Sequence, residues 1–141
     1  MKLQTLFVTA LVVGVVANVF DFAVHGVLLA GPLYSGLPTL MRTDASMPLL
    51  VLSDFVAALV FVWVYARVRV AFPVGPRGGA IFGLYAGVLV SFPTWIVAYL
   101  LIAGFTYGLA WTWTIVGIAW CIVAGAVTGA VAGKMSPAPA R

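Results

Sequence analysis

Apolar residues in this chain come in long unbroken runs, separated by short clusters of Gly, Pro and basic residues. Runs beyond about 18 residues mark helices that cross a bilayer, because about 20 residues of helix are needed to traverse a hydrocarbon core of about 30 Å. The polar–apolar alternation of a membrane β-barrel is missing. The pattern predicts four helices, over residues 4–30, 46–70, 79–103 and 107–133. Gly31-Pro32 stops the first, which is longer than the core requires and is expected to tilt or protrude. Asp44 or Ser46 caps the second, and Pro48 fits its first turn. Arg67 and Arg69 suit the negative end of its dipole, ahead of Pro73 and Pro76. Pro93 predicts a kink in the third. The expected fold is all-α: a single integral membrane domain over residues 1–135, with four transmembrane helices in an antiparallel bundle, and a disordered tail over 136–141.

Composition agrees. The chain is 65% hydrophobic and 7% charged, where a soluble domain carries about a quarter charged residues. Mean hydropathy is +1.21. So few charges cannot cover a globular surface in water, so lipid is the expected surrounding. The first apolar run continues well past Ala17, which favours a retained span over a signal peptide.

Charge adds direction. Lys2, Arg67, Arg69, Arg77, Lys134 and Arg141 fall at one end of the expected bundle, and only Arg42 at the other. The positive-inside bias then puts both termini in the cytoplasm, as in a bacterial inner-membrane protein. The net charge of +4 is no nucleic-acid signal, because the basic residues sit at helix ends rather than in a patch. A single cysteine, Cys121, excludes an intrachain disulfide and cysteine-based zinc or iron–sulfur sites within one chain.

Between the first two helices, Leu33, Tyr34, Leu37, Leu40 and Met41 predict a stretch lying in the membrane interface over the outer mouth of the bundle. Tyr99, Tyr107, Trp111 and Trp113 fit an outer aromatic belt, and Trp63 and Tyr65 an inner one. The fourth helix carries Gly117, Cys121, Gly125, Gly129 and Gly133 at every fourth position. Such a stripe admits another backbone closely, from the same chain or from a neighbour.

Against this apolar background a few polar side chains stand out. Asn18, Asp21 and His25, three and four residues apart, form one stripe on the first helix. Lipid penalises each, so the stripe should face protein or a small wet cavity. Helical rise puts Asp54 and Thr94, with Thr112 and Thr114, in the same layer. The candidate ligand- or ion-binding residues are therefore Asn18, Asp21, His25, Asp54 and Thr94. Asp21 and His25 are spaced to pair locally, and Asp54 across the bundle could share a proton with Asp21. Asp21, His25 and Asp54 are also the credible ligands for a divalent metal, one short of the usual set, with Asn18 a poor fourth. The plainer reading is that His25 bonds Asp21, Asp54 bonds Asn18 or a threonine, and the cluster only fixes helix register.

Other chemistries lack their residues. One histidine cannot make a bis-histidine haem within one chain. Ser91 has no nucleophile-elbow pattern around it, Gly75-Pro76-Arg77-Gly78-Gly79 reads as a turn without a phosphate-loop lysine, and no Lys/Arg series crosses a helix. The sequence thus points to a non-enzymatic protein without a cofactor. It would act by association in the lipid bilayer, as a homo-oligomer or as an accessory subunit of a larger membrane complex. The alternative is a small transporter or ion- and proton-handling protein with its site at Asn18, Asp21, His25 and Asp54, where a divalent metal is the group the side chains would accept.

Overall fold

The computed structural model describes residues 1–37, 40 and 44–135; Met41, Arg42 and the 136–141 tail, which carried expectations above, lie outside the described residues. The helices are α1 (Leu3–Asp21), α2 (Met47–Val68), α3 (Pro76–Leu101) and α4 (Tyr107–Met135). A π-turn, Phe22–Leu28, prolongs α1, and 3-10 turns cover Tyr34–Gly36 and Arg69–Ala71. All four helices are long and apolar enough to cross a membrane. Between 17% and 28% of the apolar stretch of each is buried inside the protein. Large side chains such as Leu89, Leu100 and Leu101 therefore point outward, an arrangement that water would penalise along every helix.

What packs inside is small. On α3, Gly79, Gly83, Gly87 and Ser91 face α4 at Gly125, Cys121, Ile118 and Gly117. A Cβ on Gly79 would overlap the Gly125 carbonyl, and one on Gly83 the Cys121 carbonyl. The α4 stripe is thus occupied from within the chain, by a matching row on α3. Between α1 and α2, Gly14 leaves room for the Phe55 ring, and Asn18 Nδ2 donates to Gly14 O at 2.9 Å and reaches Val51 O of α2 at 3.5 Å. Ala10, Val13, Ala58, Val62 and Ala124 form the core that joins α1, α2 and α4. Buried hydroxyls close on their own helices: Thr9 on Thr5 O at 2.7 Å and Thr128 on Ala124 O at 2.7 Å.

Three local expectations are corrected. Residues 75–79 are not a free turn but the cap and first turn of α3: Gly75 takes φ +89°, Pro76 holds the first helical position, and Gly79 N–H bonds Gly75 O at 3.2 Å. The helix starts early because its small residues must already meet α4 there. Tyr65 is no interfacial anchor; it is buried, its ring 5.3 Å from that of Phe82. Finally, the first helix does not run as α-helix to residue 30, since the π-turn takes over after Asp21.

Candidate functional site

Asp21 is the last residue of α1, and Asp54 lies about two turns into α2. Their carboxyls lie close enough to interact, and the Trp120 indole of α4 lies beside Asp21. Three helices therefore meet at one carboxyl pair. Ionised carboxylates only accept hydrogen bonds, so two that approach this closely are best accommodated with a proton between them. Removing that proton leaves two like charges side by side in apolar surroundings, which is costly. The pair is chemically suited to sharing one proton.

The next layer is set by the π-turn. Leu29 N–H bonds Val24 O, five residues back, at 2.8 Å, and the same spacing recurs from Tyr34 to Leu29 at 3.0 Å and from Ser35 to Ala30 at 3.1 Å. The wider turn spends an extra residue per bond, so His25 no longer stands over Asp21 as an α-helix would place it. Its Nδ1 meets the Tyr34 hydroxyl instead, and the two rings lie nearly parallel, centroids 6.0 Å apart. Trp113 Nε1 donates to the same hydroxyl at 2.9 Å. The Tyr34 oxygen thus accepts from the indole and shares a second hydrogen bond with His25 Nδ1. His25 is still close enough to Asp54 for their charges to interact.

Above this, Leu33, Tyr34, Leu37 and Leu40 pack against Phe105, Leu109 and Ala110, as do Trp95 and Trp113. Gly104, with φ +89°, makes the tight turn that brings Phe105 under them. Burial pushes the Tyr34 phenol above its ordinary range; the Trp113 N–H partly offsets this, and the Asp21 charge adds to it.

The sequence-derived candidates separate as follows. Asp21 and Asp54 are brought together, with His25 in the adjoining layer. Asn18 ties α1 to α2 through backbone carbonyls. Thr94 is not brought in: it is exposed on α3, its hydroxyl bonded to Val90 O at 2.6 Å, while Trp95 carries the inward face. Thr112 and Thr114 likewise close on Gly108 O and Ala110 O. Among the described residues no group of three or more His, Cys, Asp or Glu is arranged to hold a metal ion. Sequence reasoning did not assign Tyr34, Trp113 and Trp120 to the site. Trp113 and Trp120 stand seven residues apart on one face of α4, a spacing that signals a shared inward stripe.

The chain matches no protein-family model, no curated protein and no solved structure.

Proposed function

We propose that this protein is a small proton-handling membrane protein. It is a four-pass antiparallel bundle with both termini in the cytoplasm of a bacterial cell, and it exchanges a proton at Asp21 and Asp54. The observation that carries this reading is the meeting of two carboxyls from α1 and α2 beside the Trp120 indole. An ionisable pair within apolar helices is costly, so its presence points to a function, and taking up and releasing one proton is the one its geometry suits. His25 and Tyr34 continue a line of exchangeable protons from the pair toward the segment before α2. The pairing of Gly79 with Gly125 and of Ser91 with Gly117 supports opposite directions for α3 and α4. The basic residues at the end holding Lys2, Arg67 and Lys134 support the orientation.

Association as the main task has less behind it. Its specific support was the α4 stripe, and α3 of the same chain covers that stripe.

Reconstitution into vesicles holding a pH-sensitive dye tests the proposal. Under an imposed potential, wild-type protein should carry protons faster than empty vesicles. Asp21→Asn and Asp54→Asn should each fall to the empty-vesicle rate with helical content unchanged. Wild-type vesicles no faster than empty ones, or both variants as fast as wild type, would overturn it.

A further inference from the structure

We infer that the cleft between the start of α1 and the end of α2 is a binding site for one anionic phospholipid. The inference rests on the membrane reading above but uses different residues. The cleft has a volume of about 250 Å³ and is lined by Met1, Leu3, Leu6, Trp63, Ala66 and Arg67. That is too small to enclose a whole lipid and suits the glycerol phosphate with the top of one acyl chain. The Arg67 guanidinium lies 5.0 Å from the centre of the Trp63 ring. A guanidinium held over an aromatic face can still turn N–H groups at its edge toward a phosphate. Leu3, Leu6 and the rest of the indole supply an apolar floor for the chain.

Charge decides the class of ligand. The acidic residues of the sequence are Asp21, Asp44 and Asp54, and none belongs to this end. Asp54 is thirteen residues before Arg67, about 20 Å along the helix. Lys2 is next to Met1 in sequence and adds to the positive field. A second copy of this chain would bring the same basic end against itself, so like charge opposes that occupant. A leaflet rich in anionic headgroups supplies the missing charge and the acyl chain together.

The test uses the full chain purified in mild detergent and titrated with phosphatidylglycerol, phosphatidylcholine or inorganic phosphate, with bound lipid read by native mass spectrometry. One phosphatidylglycerol should be retained in preference to phosphatidylcholine, with no response to inorganic phosphate. Arg67→Gln should weaken retention by about fivefold, the value of one basic residue at an anionic surface, and Arg77→Gln should leave it unchanged. Leu3→Ser, which removes exposed floor rather than charge, should weaken both lipids alike and serves if Arg67→Gln does not fold. Equal retention of both lipids by the wild type, competition by inorganic phosphate, or a dimer that Arg67→Gln dissociates would each overturn the inference. Loss of lipid selectivity alongside intact proton flux removes this inference alone; a chain that does not fractionate with membranes removes both.

Discussion

Tyr34 shows how one side chain links the interior to the surface. Its hydroxyl accepts from Trp113 and meets His25 Nδ1, so replacing it disturbs both partners. Burial favours the neutral phenol, so the folded state holds the Tyr34 proton to a higher pH than the unfolded chain, whose phenol titrates near 10.0. The stability this contributes is fully present below that pH and is lost as pH rises through the folded value. Tyr34→Phe should therefore be less stable than wild type at neutral pH and lose less stability above pH 10, read from thermal unfolding across the alkaline range. Trp113→Phe removes one donor to the same oxygen and should cost about 1 kcal/mol at neutral pH. An unchanged melting temperature would remove that hydrogen bond from the account.

At the scale of the element, two devices matter. The π-turn after Asp21 turns His25 away from its own helix and toward the segment between α1 and α2. Between α3 and α4 the device is close backbone approach, and its strength can be read from glycine substitutions. Gly83→Leu would drive a side chain into the Cys121 carbonyl and should cost about 1–3 kcal/mol or more. Gly108→Ala places its methyl in open space and should leave stability unchanged or slightly raised. Unfolding in mixed detergent, run side by side, checks both. Comparable losses from the two would mean that α3 and α4 do not pack as described.

Across the whole molecule, charge is as unevenly placed as polarity. In the proposed topology Asp21 and Asp54 share one layer, while Lys2, Arg67, Arg69, Arg77 and Lys134 mark the opposite end. This predicts a fixed orientation, which cysteine labelling can measure. Cys121 is buried against α3, so the native thiol should stay unlabelled in the folded protein. New cysteines can then be read against a silent background. Ser35→Cys should label from outside the cell and Arg77→Cys only after the cytoplasmic face is opened. Labelling of both from one side would end the proposed topology.

The run of apolar residues was enough to place four helices, because transfer from water to an apolar phase sums along a segment without reference to its neighbours. The stripe from Gly117 to Gly133 was visible for a similar reason, being a repeat within one helix. What a helix faces is another matter. A helix apolar on every side carries almost no signal for its rotation, so which residues turned inward depended on where backbones could approach. Gly79, Gly83, Gly87 and Ser91 set that for α3, and Thr94 was left outside as a result. The local pairing of Asp21 with His25 assumed an α-helical register that the π-turn does not keep. The contact of Asp21 with Asp54 and Trp120 joins three helices distant in sequence, and only tertiary packing could decide it.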